Sequence, residues 1–150
     1  MGQGYNVTIQ VAVSNLEFTL ENSKLGIYAW DVAPVTITEQ SFALRSKADT
    51  TVSYKWNTTD IPYNYYRIDT YAFPLPGETF TYDNTFHNGQ VMVTIPGDVN
   101  GDKKVDVFDL YNIGTHWYPG SYNTNIDING DGAIDTIDLG ITSAHYGHSW

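Results

Sequence analysis

The sequence predicts a mostly-β molecule: a β-sandwich over residues 1–95, then a small α-helical pair of loop–helix repeats over 96–150. Two observations carry this. The first 95 residues alternate apolar and polar side chains in short runs separated by turn residues, with no helical period. The last third holds one acidic stretch twice, Asp98 to Asp109 and Asp127 to Asp138, displaced by 29 positions.

The strands follow in order. Tyr5, Val7, Ile9, Val11 and Val13 form the apolar row of the first. Leu25, Ile27 and Ala29 mark a second, Val35 and Ile37 a third, and Val52, Tyr54 and Trp56 a fourth. Tyr66, Ile68 and Thr70 supply the next, and Val91, Val93 and Ile95 close the domain. Glu21-Asn22-Ser23, Ser46-Lys47-Ala48-Asp49, Asp60-Ile61-Pro62, Pro74-Leu75-Pro76-Gly77 and His87-Asn88-Gly89 read as the turns between them. Six or seven short strands at this spacing argue for a sandwich.

In each acidic stretch the side-chain oxygens fall at positions 1, 3, 5, 9 and 12. A calcium loop needs that spacing: alternate side chains and the carbonyl of position 7 on one side, a carboxylate at 12 closing the other. Asp98, Asn100, Asp102 and Asp109 are therefore side-chain ligands of a first ion. Lys104 gives its carbonyl, and Asp106 binds directly or through water. Asp127, Asn129, Asp131, Ala133, Asp135 and Asp138 repeat the set for a second ion. Oxygen donors without thiol or imidazole select calcium over zinc or copper. Position 12 is Asp rather than Glu, so its denticity stays open. Val105 and Ile134 at position 8 are the apolar residues through which paired loops touch, and Leu110 and Leu139 begin the buried face of each helix. A single Asn/Gly/Asp stretch is ordinarily a solvated turn; two copies in register are not.

The net charge of -10 is concentrated, because the loops hold eight of the 17 acidic residues. Two calcium ions would bring it to -6, and without them each loop crowds four carboxylates together. A pI near 4.4 argues against nucleic acid and anionic membrane surfaces. The lack of cysteine excludes disulfides and thiolate chemistry. No stretch is long and apolar enough for membrane insertion. Met1-Gly2-Gln3-Gly4 runs almost directly into a strand, so for an exported protein the expectation is a processed chain or a fragment of a longer one.

The duplicated GDVNGDKKVDVFDL and DINGDGAIDTIDL resemble a dockerin-type module, over roughly Pro96 to Trp150. The resemblance implies a calcium-binding extracellular module with a cohesin-like partner. The chain departs from that pattern in three ways. Lys103 stands where the turn prefers glycine, as Gly132 does in the second copy, which predicts a strained first loop. Positions 10 and 11, hydroxyl residues that read the cohesin in cellulosomal dockerins, are Val107-Phe108 and Thr136-Ile137. The basic helix ending is replaced by Tyr111-Asn112-Ile113-Gly114 and Gly140-Ile141-Thr142-Ser143. Val107, Phe108 and Ile137 are accordingly read as partner contacts, packing on another domain in this chain or in a neighbour.

Upstream, Tyr54-Lys55-Trp56-Asn57-Thr58-Thr59, Tyr66-Arg67-Ile68, Pro76-Gly77-Glu78 and Asp83-Asn84 resemble the immunoglobulin-like CARDB family of prokaryotic surface proteins, over about Gly2 to Ile95. The order of sandwich, Pro-Gly joint and dockerin-like pair is similar to that of archaeal exported proteins. This implies an immunoglobulin-like sandwich lacking its first strand. Either a preceding domain or a neighbouring subunit supplies that strand, or the sandwich dispenses with it. Asn6-Val7-Thr8 and Asn57-Thr58-Thr59 fit the N-glycosylation acceptor pattern, which also arises by chance. Asn57, at a strand end, is the better placed of the two.

His116 and His145 occupy equivalent positions, where a helix end favours imidazole. Glu78 and Asp83 flank a turn, and nothing supplies a nucleophile with its base, a phosphate loop or a cofactor signature, so the chain reads as no enzyme. The expected function is an extracellular, calcium-stabilised structural module of a cell-surface assembly, touching other copies of itself or another surface protein. Its extended form is a filament subunit joined by strand donation. The alternative is a binding module that tethers the chain to a cohesin-like or other surface partner. A third reading is the non-catalytic tail of a longer hydrolase.

Overall fold

In the computed structural model, which describes residues 2–117 and 120–150, the chain is mostly β with two C-terminal helices. The strands are β1 (Asn6–Ser14), β2 (Glu21–Trp30), β3 (Pro34–Leu44), β4 (Asp49–Asn57), β5 (Asn64–Ala72) and β6 (Thr85–Val93); the helices are α1 (Val107–His116) and α2 (Thr136–Ala144). β1 pairs with β4 in one sheet, and β3-β2-β5-β6 make the other. Together they form the expected sandwich.

The alternation that predicts β1 and β4 is visible in their burial. Ile9, Val52 and Trp56 are buried between exposed neighbours. Leu25, Ile27, Ala29, Ile37, Tyr66 and Ile68 complete the core of this layer, with Trp56 and Tyr66 edge to face at 5.7 Å. Two of the expected turns lie inside strands. Glu21, Asn22 and Ser23 pair with Leu44, Ala43 and Phe42, so cross-strand partners on β3 override the local turn preference of Asn and Ser. His87 to Gly89 belong to β6, where Gly89 keeps φ near 93° within the ladder.

A buried carboxylate sits among the strands. Asp69 on β5 is 3% exposed and takes a forked pair of bonds from Arg67, at 2.9 and 2.8 Å, and one from His87 Nδ1 at 2.8 Å. Burial pushes its pKa up, but the hydrogen bonds and charges of Arg67 and His87 outweigh burial and hold it below the usual aspartate range. Folding therefore favours the anion. The stabilisation is complete above the unfolded value of about 3.9 and is lost as the pH falls through the folded value. Asp69→Asn is expected to cost about 1–3 kcal/mol at neutral pH. The penalty should shrink towards zero in acid when both proteins are unfolded by urea across that range in excess chelator. A penalty that stays constant with pH would count against the charged triad.

The chain divides into two compact units. One is Thr8–Trp56 with Tyr66–Val91, the body of the sandwich. The other joins residues 2–7, Asn57–Tyr65 and Met92–Trp150. The sequence reading cuts between motifs after residue 95, whereas the second unit gathers its pieces from three places. Its core is Ile113, Ile126, Ile128 and Ile134, and Tyr5, Val99, Trp117, Leu139 and Ile141 pack against it. Tyr5, read from the sequence as the first residue of a sandwich strand, thus belongs to the helical core. Burial, reinforced by the charge of Asp138, raises its phenol pKa. Thr58 is fully buried and donates its hydroxyl to the carbonyls of Tyr5 (2.7 Å) and Gly2 (3.2 Å). The Pro96-Gly97 joint is buried too. A Cβ on Gly97 would fall 2.7 Å from Thr142 Cα, so the approach requires glycine.

Candidate functional site

Each acidic stretch folds around its own aspartates. In the first, Asp98 Oδ1 accepts from the backbone N–H of Gly101 (2.8 Å) and Asp102 (3.1 Å), and Oδ2 from Lys103 N–H (3.0 Å). Asn100 Oδ1 accepts from Asp102 N–H, and Asp102 Oδ1 from Lys104 N–H. Asp109 closes the loop, accepting from Val99 and Asn100 through Oδ1 and from Asp106 through Oδ2. The second copy repeats the pattern. Asp127 accepts from Gly130, Asp131 and Gly132, and Asp131 from Ala133. Asp138 accepts from Ile128, Asn129 and Asp135.

Positions 9 and 12 do double work. Asp106 and Asp135 are the N-caps of α1 and α2, accepting from Phe108 and Ile137 N–H, while Asp109 and Asp138 reach back to the cap N–H. That reciprocal pair starts each helix where the loop needs its last carboxylate. The same residues that the sequence marks as ligands, an N-cap aspartate and a second aspartate three positions on, also carry the capping signal.

The donor set fits a cation. Asp98, Asp109, Asp127 and Asp138 are each at most 4% exposed. Burial pushes the Asp109 carboxyl above the ordinary aspartate range against three backbone N–H bonds that favour its anion, and the charge of Asp98 adds to the push. A bound cation reverses that penalty. Among the described residues no three His, Cys, Asp or Glu side chains by themselves form a metal cluster. In each loop Asn100 or Asn129, the carbonyl of Lys104 or Ala133, and Asp106 or Asp135 at position 9 are the further oxygens that the loop spacing would offer to an ion. Such mixed oxygen donors suit calcium.

Other expected residues fall as follows. Val105 and Ile134 are buried, but the backbone of Val105 pairs with the C-terminal tail: its N–H donates to the His148 carbonyl and its carbonyl accepts from Gly147. Leu110 and Leu139 are half-buried, and the fully buried helix positions include Asp109 with Ile113 in α1 and Asp138 with Thr142 in α2. Lys103 has φ near 73°, the left-handed conformation its glycine-like position demands. His116 and His145 each donate Nδ1–H to the carbonyl four residues earlier, of Asn112 and Ile141, a helix-end role. Glu78 caps its turn through Leu75 N–H. Asn6 and Asn57 are exposed, and Asn57 Oδ1 accepts from both the N–H and the hydroxyl of Thr59.

Val107, Phe108 and Ile137 leave more than half of their surface open to solvent. They are 57%, 63% and 51% exposed, joined on α1 by Tyr111. No helix among the described residues is long and apolar enough to cross a membrane.

Residues 96–143 match the dockerin type I domain family. Of solved structures, the CARDB domain of a Pyrococcus furiosus protein, in complex with di-metal ions, has a similar fold, with a TM-score of 0.52 and 18% identity over 63% of this chain and 83% of that one. The search of curated proteins found no match. The chain thus carries an immunoglobulin-type β-sandwich similar in fold to a CARDB domain and, over residues 96–143, a stretch similar to dockerin type I domains, the arrangement the resemblance implied. Dockerin modules bind calcium and protein partners and are typically extracellular or on the cell surface.

Proposed function

We propose that the chain is a non-catalytic extracellular module of a cell-surface assembly, whose dockerin part holds two calcium ions and offers its helices to a protein partner. The observation that carries this is the exposure of Val107, Phe108 and Ile137. Large apolar side chains at the first turns of two capped helices are costly in water and typical of the centre of a protein interface. The ions would offset the negative charge of the buried aspartates, two in each loop. Asp98, Asn100, Asp102, the Lys104 carbonyl, Asp106 and Asp109 would hold the first, and the equivalent residues from Asp127 to Asp138 the second. The capping boxes then fix both helix starts, so the apolar residues are presented at set positions. An exported chain would also carry N-linked glycan on Asn57, whose side chain is exposed at the end of β4.

Light scattering in millimolar calcium, then in excess chelator, tests the reading. If another copy of the chain is the partner, wild-type protein should assemble in calcium, and Phe108→Asp with Ile137→Asp should stay monomeric while melting as wild type does. A wild-type monomer points to a separate surface protein, whose capture in calcium the same variant should abolish. Unchanged assembly or capture by the charged variant would sink the proposed face.

A further inference from the structure

Beyond the ligands themselves, the structure ties the first calcium loop to the end of the chain. Thr94, fully buried, donates its hydroxyl to Asp98 Oδ2 at 2.5 Å, and Trp150 Nε1–H donates to Thr94 Oγ1 at 2.8 Å. The relay is directional. The hydroxyl gives its one proton to the carboxylate and offers a lone pair to the indole, so each bond strengthens the other. Asp98 is position 1 of the loop, and Oδ2 also accepts from Lys103 N–H.

The same tail grips the loop's backbone. Trp150 N–H donates to the Lys103 carbonyl at 3.1 Å, and Lys104 and Ser149 form an antiparallel bridge. The Lys103 ammonium lies 4.5 Å from the centre of a Trp150 ring and 5.9 Å from that of Tyr65, while the Tyr63 ring lies tilted against Trp150 at 5.6 Å. Those contacts offset the strain of a left-handed lysine. The second loop is oriented differently. Its position-1 oxygen, Asp127 Oδ2, accepts from the half-exposed Tyr122 at 2.7 Å, and Gly132 fills the turn.

We propose that Trp150 is a positioning residue for the first calcium site, acting through Thr94 on Asp98, so that tail docking and ion binding at this loop reinforce each other while the second loop is indifferent to the tail. The inference rests on the calcium reading above. Linkage is reciprocal: whatever affinity the docked tail adds to the ion, the ion adds to docking of the tail. Partners that orient a ligating group commonly contribute 10–100-fold in metal affinity.

The test follows the amide signals of Lys103 and Gly132 by NMR during calcium titration of the full chain. Both N–H groups donate to the position-1 aspartate of their own loop. In Trp150→Phe and Thr94→Val the Lys103 signal should titrate at roughly tenfold higher calcium, with Gly132 unmoved. The double variant should lose no more than either single one, since the two groups act in series. Thr94→Ser, which keeps the hydroxyl, should restore wild-type affinity. Equal shifts at both loops, additive losses or no shift at Lys103 would overturn the relay while leaving the calcium sites standing. If neither wild-type amide responds to calcium, the calcium reading falls and the relay with it.

Discussion

Stripping calcium with excess chelator is expected to lower the melting temperature of the helical unit by about 20–40 °C. The figure follows from mass action. An ion that binds only the folded state, at a hundredfold excess over its dissociation constant, contributes about 2.7 kcal/mol. Two independent sites give about 5 kcal/mol, and in a unit of this size each kcal/mol moves the midpoint by roughly 4–8 °C. The physical source is the set of nearly inaccessible aspartates, Asp98, Asp109, Asp127 and Asp138, which without cations repel one another in poor solvent. Calorimetry in calcium, in chelator and after adding magnesium back makes the comparison. Magnesium, with its stricter octahedral geometry, should restore little. An identical melt in calcium and chelator would leave the ions without a structural role.

The second large effect is Asp138→Ala. The side chain accepts from Ile128 N–H at 2.7 Å, from Asp135 N–H at 2.9 Å and, more weakly, from Asn129 N–H at 3.5 Å. It therefore closes the loop and supports the α2 cap, and in the calcium reading it would also complete the ligand set. Removing it orphans buried donors and opens the ion site, for an expected loss of about 3–5 kcal/mol in calcium. Asp138→Asn separates the roles in part, because it keeps the shape and one acceptor but loses the charge and sets an amide NH2 against the backbone N–H of either Ile128 or Asp135. The alanine variant should melt lower in both calcium and chelator, and the asparagine variant should lose more in calcium than in chelator. Wild-type melting of the alanine variant in calcium would contradict both roles.

These effects rest on residues that the sequence makes legible, because a calcium loop is written in local spacing and a strand in local alternation. Ile9, Val52 and Trp56 could be placed inside from their neighbours alone. What stayed hidden depends on partners far along the chain. Asn22 and Ser23 read as a turn until β3 pairs with them. Tyr5 reads as strand until the isoleucines around Ile113 surround it. Thr58, Thr94 and Trp150 carry no local mark, since the bonds from Thr58 to Gly2 and Tyr5 and from Trp150 to Thr94 span more than fifty residues. Lys103 is the intermediate case. Its strained position was visible from the comparison with Gly132, but the rings that hold it were not.

The division of the chain bears on how such a protein can be cut and inherited. A module hung on one linker can be spliced out at one point and grafted elsewhere. Here the backbone passes between the compact units after residues 7, 56, 65 and 91. An exon or plasmid boundary at Pro96 would carry off both loops yet leave behind Tyr5, Thr58 and Thr94: an aromatic from the isoleucine cluster, the hydroxyl that bonds Gly2 and Tyr5, and the hydroxyl on Asp98. A portable piece has to include the segments before β1 and after β4. Changes to the turn before β1 or to the loop after β4 are thereby changes to the helical unit, although no acidic motif lies near either in sequence.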